Sequence, residues 1–414
     1  MSNHNLLNSF QSGFRSGHST TTALVRITDD IRLGMDNQQV TVLTLLDFSK
    51  AFNTVDFDVL LAVLSSLNIS PKVIGWFHSY LRGRRQRVQI QDTFYDWSVV
   101  KAGVPQGGVL SPLLFSIFIN SICSDITSLY HKYADDLQIY FQCKIAALPN
   151  TIRLINEDLI RIYHWCNSFG LKVNQLKTQA IIIGSSKLIS RLTFSLLPPV
   201  IFEGTLIPYS DKVKNLGIMF DRTLSWGPQV SEVSRRMFAA VGSLRRLRNF
   251  LPIPTKVALA QSLLLPILDY ADTCYLDLTV DQLNKLERLQ NYCIKFIFGL
   301  RKYDHISEFR HKLKWLPIRF RRNTHILHLL YCILFNPTTP SYLKDRFIYL
   351  SSLHSLPLRS QNNLLSTPRH SSSFYSNSFT VTAIRLWNSL PLHIKECKSL
   401  PIFKNKLKLY YLSS

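Results

Sequence analysis

Three aspartates at the ends of predicted strands constrain this chain more than any other feature. Residues 41–47 form an apolar, β-branched run that ends in an acid, which predicts a buried strand whose last residue is Asp47. Two aromatic-rich runs, residues 130–133 and 137–142, flank Asp135 and Asp136. This arrangement predicts a hairpin with two carboxylates at its tip. Helical patterns surround these strands, at 55–67, 71–81, 110–122, 150–168 and from 228 to about 335. Further strands are predicted at 178–183 and 215–220, and a basic hairpin at 82–87. We therefore expect a fold of the α+β class.

Carboxylates in such a cluster repel one another unless a cation lies between them. An Asp-Asp pair is by itself more typical of a solvated turn, but this pair lies between strands rich in Tyr and Ile. Hard oxygen ligands suit Mg²⁺, which retains some water and is completed by substrate phosphates. Two such ions stabilise the attacking and leaving oxygens of an in-line phosphoryl displacement. Asp47, Asp135 and Asp136 are therefore candidate ligands for Mg²⁺, or for Mn²⁺ as the alternative ion.

Charge is distributed unevenly along the 414 residues. The net charge is +22, of which residues 1–150 contribute +1, residues 151–300 contribute +7 and residues 301–414 contribute +14. Hydrophobic residues make up 46% of the chain, which is enough for a sizeable core and excludes wholesale disorder. A charge of this size indicates a polyanionic partner, with nucleic acid first and an anionic membrane surface second.

The seven cysteines are scattered, with no two within four residues of each other. This spacing argues against a disulfide framework and against a zinc finger, and it favours an intracellular location in the nucleus or the cytoplasm. The most apolar stretch, residues 107–122, is interrupted by polar residues and is too short to span a bilayer. We therefore expect no membrane as a partner; protein partners cannot be read from the sequence.

Further motifs extend the acidic pattern. Around the aspartates stand LDFSKAFNTV (46–55), GVPQGGVLSP (103–112) and YADD (133–136); QSGFRSGHST (11–20) precedes them, and GLKVNQLKT (170–178) and LGIMFDRTLSW (216–226) follow. Together these six ordered motifs resemble the reverse transcriptase of a non-LTR (LINE-type) retrotransposon of the Jockey/CR1-like sort. A softer match lies at LWNSLP (386–391).

This resemblance implies an architecture and an activity. Residues 1–226 would form the partial fingers and the palm of a right-hand polymerase, residues 227–335 a helical thumb-like domain, and residues 336–414 a basic C-terminal region. The implied activity is that of an RNA-directed DNA polymerase, in which a primer 3′-hydroxyl attacks the α-phosphate of a dNTP. The implied partners are an RNA template, a DNA primer or RNA–DNA duplex, and the dNTP.

The resemblance also implies catalytic roles, residue by residue. Asp47 and Asp135 would hold both metal ions, with Asp136 beside them. Lys177 matches the position of a lysine near the departing pyrophosphate, where it would act as a general acid.

Five residues would bind substrate in the same comparison. Arg15 would neutralise triphosphate charge, and Phe48 would begin the segment that runs beneath the incoming nucleotide. Phe52 would be the steric gate against a ribose 2′-hydroxyl. Gln106 and Gly107 would contact the nucleotide and the template from their turn. The basic stretches at 243–249 and 319–323 would hold phosphates without reading sequence.

Two departures from the family pattern keep alternatives open. Asn53 stands where the family usually has an acid, but the position is not a metal ligand. Only ten residues precede Gln11, so the sequence suggests a truncated element copy or an incomplete gene model. The main alternative is a catalytically inactive or domesticated remnant that binds nucleic acid. An intron maturase is a weaker alternative, since no maturation or zinc-nuclease signature is visible.

Overall fold

The computed structural model describes residues 7–352 and 363–413. The chain folds as two compact units. Unit 1 comprises Met1–Ser19, Thr41–Ile182 and Arg191–Ser210, and unit 2 comprises Thr20–Val40, Ile183–Ser190 and Asp211–Ser414. The boundaries at 226 and 335 that the sequence suggests remain a prediction.

The strands are short apart from those around the acidic residues. In chain order they are β1 (Val40–Leu46), β2 (Arg85–Gln86), β3 (Gln89–Ile90), β4 (Thr93–Phe94), β5 (Ser98–Val99), β6 (Leu129–Tyr133), β7 (Asp136–Cys143), β8 (Gln179–Ile183), β9 (Val200–Phe202), β10 (Thr205–Ile207), β11 (Lys212–Asn215) and β12 (Ile218–Asp221).

The helices occupy most of the rest of the described chain. They are α1 (Thr20–Asp36), α2 (Phe57–Ser66), α3 (Pro71–Leu81), α4 (Ser111–Phe118), α5 (Leu148–Phe169), α6 (Ser186–Ile189), α7 (Gly227–Arg245), α8 (Ile253–Leu259), α9 (Leu265–Asp269), α10 (Val280–Phe298), α11 (Ser307–Leu313), α12 (Ile318–Phe335), α13 (Ser341–Lys344), α14 (Ser373–Ser376), α15 (Phe379–Ser389), α16 (Leu392–Lys395) and α17 (Leu400–Ser413).

A four-stranded sheet forms the centre of unit 1, with strand order β6-β7-β1-β8. β6 and β7 are antiparallel, and Tyr133 lies opposite Asp136. The predicted strand at 41–47 and the predicted hairpin are therefore both confirmed. In one detail the prediction is wrong, because Asp136 is the first residue of β7 rather than part of the two-residue turn. β1 is almost wholly buried, as expected of an apolar run without alternation.

The helices that pack around this sheet begin and end at residues typical of helix termini. α2 begins after Asp56, whose carboxylate accepts hydrogen bonds from the N–H groups of Asp58 and Val59. α5 packs against β7 and ends at Gly170, whose φ of +72° suits a left-handed helix cap. The predicted helix over 110–122 is shorter, since α4 ends at Phe118.

Two short-range predictions are wrong. The basic stretch 82–87 is not a hairpin by itself, because Arg85 pairs with Val99 in an exposed arm that spans β2 to β5. The predicted strand over 215–220 is two antiparallel strands, β11 and β12, joined by a turn at Leu216 and Gly217. Both errors have the same physical origin, since a turn inside an apolar or basic run leaves the run's composition unchanged.

Unit 2 is largely helical, which confirms the helical pattern after residue 227. α7 packs against α10, and α12 packs against α15 and α17. α1 belongs to this unit: the carboxylate of Asp29 accepts hydrogen bonds from the N–H groups of Phe379 and Thr380 at the start of α15, at 2.8 and 2.9 Å. The mixture of helix and sheet agrees with the predicted α+β class. Among the described residues, no helix combines the length and the apolar character needed to cross a membrane.

Candidate active site

Adjacent strands bring the three predicted aspartates together. Asp47 directly follows β1, Asp135 lies in the turn between β6 and β7, and Asp136 begins β7, which neighbours β1 in the sheet. Their charges interact: loss of solvent, and then repulsion from Asp47, raises the pKa of Asp135. Loss of solvent, followed by repulsion from Asp135 and Asp47, raises the pKa of Asp136 to about 6. Asp136 remains exposed to water, and repulsion from the two neighbouring carboxylates raises its pKa there.

Lys177 is the cation beside this cluster. Its Nζ lies 3.6 Å from Oδ2 of Asp47, and its side chain is 68% exposed. The loop that carries it is fixed to the strand end, because the Asn174 N–H donates to the Asp47 carbonyl at 2.7 Å and the Ser49 N–H donates to the Lys172 carbonyl at 2.8 Å. One exposed ammonium group leaves the three carboxylates with excess negative charge, and hard oxygen donors in such excess fit a divalent cation.

The segment before α1 packs directly on the acidic hairpin. Lys132 of β6 exchanges backbone hydrogen bonds with this segment, accepting from the Ser12 N–H and donating to the Phe10 carbonyl, both at 2.9 Å. Gly13 lies so close that a Cβ there would be 2.2 Å from the Ala134 nitrogen. Ala134 itself has a φ of +56°, a left-handed conformation uncommon for a residue with a side chain. The resemblance selected Arg15 in this segment but not Gly13.

Lys132 was missed by the sequence reasoning, although it lies three residues before Asp135. Its side chain is buried, and its ammonium group donates to the carbonyls of Ile119 and Asn120, at 3.3 and 2.8 Å, just after the end of α4. Burial lowers its pKa to about 8. A cation at a helix C-terminus is stabilised by the helix dipole, so Lys132 ties α4 to the hairpin. A single lysine in an aromatic strand carries no sequence signal for this contact.

The segment after Asp47 turns sharply at Lys50. Lys50 has a φ of +51° and precedes the single helical turn Ala51–Asn53. The first N–H groups of such a turn have no partner inside it, and a left-handed residue before them forms a concave row of donors that suits an anion. Phe48 as a whole residue is only 5% exposed, so its ring is packed in the core and is not open to a ligand.

Phe52 and Gln106 each contact a neighbouring residue at this turn. The Phe52 ring stacks on Phe115 with centroids 4.2 Å apart. Gln106 donates from Nε2 to Oδ1 of Asn53 at 2.9 Å. Asn53, which stands where the family usually has an acid, therefore forms a hydrogen bond between two neutral side chains. The Gly103 backbone lies directly against this turn. A Cβ added to Gly103 would lie only 2.7 Å from the Asn53 carbonyl oxygen, so a larger residue would not fit.

The remaining two predicted residues differ in their surroundings. Gly107 is exposed, has a φ of +76°, and a Cβ there would meet nothing within 4 Å, so its side of the turn is open. Arg15 is half-buried and donates from Nη1 to the Asn8 carbonyl at 3.0 Å. Both lie in unit 1 together with the aspartates, Lys177, Phe52 and Gln106.

A second acidic group lies in unit 2. Among the described residues, Asp269, Asp272 and His325 have ligand atoms that all lie within 4.8 Å of one another, which the three aspartates of unit 1 do not. Arg321 donates from Nε to Asp269 at 2.6 Å, and His325 Nδ1 lies 2.7 Å from Asp272. Burial lowers the pKa of His325, but the charge of Asp272, its hydrogen bond to the ring and the charge of Asp269 together outweigh burial and leave the pKa raised. These acids are therefore balanced by cations, in contrast to the cluster of unit 1.

Several known proteins are similar to this chain in sequence. Residues 1–220 match the family described as reverse transcriptase (RNA-dependent DNA polymerase). The probable RNA-directed DNA polymerase from transposon BS of Drosophila melanogaster is 30% identical over 72% of this chain and 33% of its own length. The corresponding protein from the X-element is 26% identical over 76% and 34%, and that from mobile element jockey is 27% identical over 74% and 33%, both also from Drosophila melanogaster.

The chain spans about a third of the length of these curated relatives. Among solved structures, telomerase from Candida tropicalis is similar at a TM-score of 0.37 and 15% identity, covering 80% of this chain and 48% of that one. A score this low establishes no shared fold. The match over residues 1–220 covers more than half of the chain and includes the acidic hairpin and the strand before Asp47. The chain belongs to the reverse transcriptase (RNA-dependent DNA polymerase) family, as a relative of the LINE-type retrotransposon enzymes that its motifs resemble.

Proposed function

We propose that this protein is an RNA-directed DNA polymerase that extends a primer 3′-hydroxyl with dNTPs on an RNA template. The observation that carries this proposal is the cluster of Asp47, Asp135 and Asp136, whose charges interact at the ends of adjacent strands. Family membership supports the same activity, since relatives carry the name RNA-directed DNA polymerase. The proposed partners are the RNA template, a DNA primer or RNA–DNA duplex, and the dNTP, in the nucleus or the cytoplasm.

The proposed architecture assigns polymerase parts to the chain. The four-stranded sheet with the aspartates is the palm, and the segment before α1 is what the chain contributes to the fingers. The helices over 227–335 form a thumb-like domain, and residues 336–414 form a basic C-terminal region. Proximity of the fingers motif to the acidic hairpin supports this assignment, since Gly13 packs against Ala134.

The chemical step joins the primer to the α-phosphorus of the dNTP. A bond forms between the primer 3′-oxygen and the α-phosphorus, the bond from that phosphorus to the bridging oxygen breaks, and pyrophosphate leaves. Family members use divalent metal ions, and Mg²⁺ or Mn²⁺ held by Asp47 and Asp135, with Asp136 beside them, would supply positive charge to the attacking and leaving oxygens. The aspartates must be ionised for this role, so a raised pKa of Asp136 opposes ion binding below about pH 6.

Basic groups around the cluster fit the triphosphate. The donor row that begins after Lys50 suits phosphate oxygens, and Arg15 adds charge from the segment before α1. Lys177 is the proposed general acid for the departing pyrophosphate, since it is exposed and lies 3.6 Å from a proposed metal ligand. Phe48 contributes through its backbone alone.

Sugar and base contacts are proposed for the adjoining turn. Phe52 is the proposed gate against a 2′-hydroxyl, and its stacking on Phe115 restrains the ring that would exclude it. Gln106 and Gly107 are the proposed contacts to nucleotide and template. The bond between Gln106 and Asn53 would then order the turn before substrate binds.

Primer extension on an RNA template by the purified chain tests this proposal. We expect Mg²⁺-dependent extension with dNTPs that EDTA abolishes. Retained binding of a primer–template without extension at any Mg²⁺ or Mn²⁺ concentration would instead favour the inactive, nucleic-acid-binding remnant.

A further inference from the structure

A pocket of about 460 Å³ opens in unit 2 between the C-terminal ends of α7 and α10. Five cationic side chains line it, and no carboxylate does: Arg245, Arg248, Arg288, Lys295 and Lys302. The volume lies within the range of about 300–1,000 Å³ that is typical of small-ligand sites. So many like charges around one cavity repel one another, which indicates an anionic occupant.

These cations have no carboxylate partners in the part of the chain that the structure describes. None of the five has a carboxylate oxygen within 4.0 Å, whereas neighbouring arginines such as Arg310 and Arg321 do. Helix dipoles explain two of them, since Arg245 and Lys295 lie in the last turns of α7 and α10. Arg248, Arg288 and Lys302 lie outside those turns. Arg288 donates to the Asn284 carbonyl at 3.3 Å and the Lys302 ammonium lies over the Tyr303 ring, but neither contact neutralises a charge.

Aromatic and apolar side chains form the rest of the pocket wall. Tyr292 lies on its wall, with its hydroxyl accepting a hydrogen bond from Arg245 at 3.0 Å, and Phe296, Leu300 and Ile306 add apolar surface. Exposed aromatic rings adjoin it along the chain: Phe250 is 84% exposed, and Tyr303, beneath the Lys302 ammonium, is 85% exposed. Cations interleaved with stacking surfaces are typical of single-stranded nucleic-acid sites.

We propose that this pocket binds single-stranded nucleic acid, with an unstacked base against Tyr292 and the flanking phosphates on the arginines and lysines. A paired base is hidden inside its duplex and cannot enter a cavity, which is why the shape favours a single strand. The inference depends on the proposed function only in taking nucleic acid as the partner. It assigns a second contact, in unit 2, whereas the aspartates belong to unit 1.

Fluorescence anisotropy with labelled oligonucleotides tests the charge contribution. The probes are an oligouridylate, an oligothymidylate of equal length, and a blunt hairpin duplex. The double variant Arg245→Ala/Arg288→Ala should lose at least tenfold in affinity for single strands. Its slope of log affinity against log salt should fall by about 1.4, or about 0.7 for each lost contact. The matched control Arg191→Ala/Arg236→Ala removes two exposed arginines outside the pocket, one just after α6 and one on α7.

Substitutions at Tyr292 separate stacking from charge. Tyr292→Leu should weaken single-strand binding about tenfold with an unchanged salt slope, because one base loses its stacking partner. Tyr292→Phe keeps the ring and should retain the affinity within about twofold. Equal losses in both variants would show that the hydroxyl, and not ring stacking, is what matters.

The outcomes decide the proposal without reference to polymerase activity, because every measurement is repeated in the Asp135→Asn background. Tighter binding of uridylate would mean that the pocket takes RNA, and equal binding would mean that it reads only stacking and phosphates; both support a single-strand site. Equal affinity for the duplex, or equal loss in the Arg191→Ala/Arg236→Ala control, would overturn it.

Discussion

At the scale of one residue, the negative charge of Asp136 destabilises the folded protein, while the same charge would attract a metal ion to the acidic cluster. Its pKa lies at about 6, above the ordinary value of 3.8, through loss of solvent and repulsion from Asp135 and Asp47. Lys177, the facing cation, offsets only part of that repulsion. An acid whose folded-state pKa is raised contributes most to stability below pH 3.8, and that contribution is lost as the pH rises through 6.

The variant Asp136→Asn should therefore be more stable than the wild type in EDTA, with a Tm advantage that grows between pH 4 and pH 7. Mg²⁺ at pH 7 should shrink the advantage, because binding stabilises the wild type more than the variant. Thermal unfolding followed by circular dichroism measures both effects. A Tm difference that depends on neither pH nor Mg²⁺ would mean that Asp136 does not share charge with a metal site.

Phe52 has two competing roles, and sugar selectivity separates them. If the ring excludes a 2′-hydroxyl, Phe52→Val should raise the use of ribonucleotides relative to deoxyribonucleotides by tenfold or more. The matched control Phe115→Leu disturbs the same stack without removing the gate, and should lower extension with both sugars alike. The ratio of the kcat/KM values for dNTP and rNTP is the measurement. Uniform loss in Phe52→Val would identify the ring as core packing.

Among the elements, local signals predicted those whose pattern is complete within a short window. β1, the β6–β7 hairpin, α3 and α5 follow from apolar runs, a two-residue turn, and Pro and Gly at helix ends. The contact of Gly13 with Ala134 does not, because it joins residues about 120 positions apart. The candidate site residues that the resemblance selected all lie in unit 1, and their roles remain a prediction. The burial of Phe48 and the contacts of Lys132 depend on tertiary packing, which no local pattern encodes.

The close approach of Gly13 predicts an effect for a single added methyl group. Gly13→Ala should displace the hairpin turn, lowering the free energy of unfolding by about 1–3 kcal/mol and primer extension by tenfold or more. Gly75→Ala in α3, where a Cβ meets nothing within 4 Å, is the control and should be neutral or slightly stabilising. Denaturant unfolding and extension assays report the two effects. Equal results for both variants would show that the Gly13 contact does not position the aspartates.

A buried aspartate of α1 gives a second stability prediction at the scale of one element. Asp29 is buried and caps α15 while Arg346 lies 3.4 Å away. Asp29→Ala should cost about 1–3 kcal/mol, since it leaves two buried helix N–H groups without their acceptor, while Arg346 keeps its ion pair with Asp30. Asp281→Ala, at an exposed first turn of α10, should cost less than about 1 kcal/mol. A small loss in Asp29→Ala, measured by urea unfolding, would mean that water replaces the carboxylate.

Across the whole molecule, net charge predicts a polyanionic partner but not which cations meet it. Residues 301–414 carry +14, yet Arg310, Arg321 and Arg346 are paired with acids, and Arg322 is buried against backbone carbonyls. Because α12 packs on α10 and α14 packs on α1, deleting this region would also remove core contacts from the rest of unit 2. Composition counts all charges alike, so substitutions at exposed cations are the sounder test of nucleic-acid binding.

The central claim is that the strand-end aspartates carry metal-dependent polymerisation, and one comparison tests it most directly. Mg²⁺-dependent extension of a primer on an RNA template is measured for the wild type, Asp135→Asn and Asp125→Asn, with Tm values recorded for each. Asp125 is exposed and precedes β6, so its variant makes the same chemical change outside the cluster. We expect Asp125→Asn to match the wild type and Asp135→Asn to fall at least a thousandfold with its fold intact, a loss of about 4 kcal/mol of transition-state stabilisation. Undiminished extension by Asp135→Asn would contradict the account.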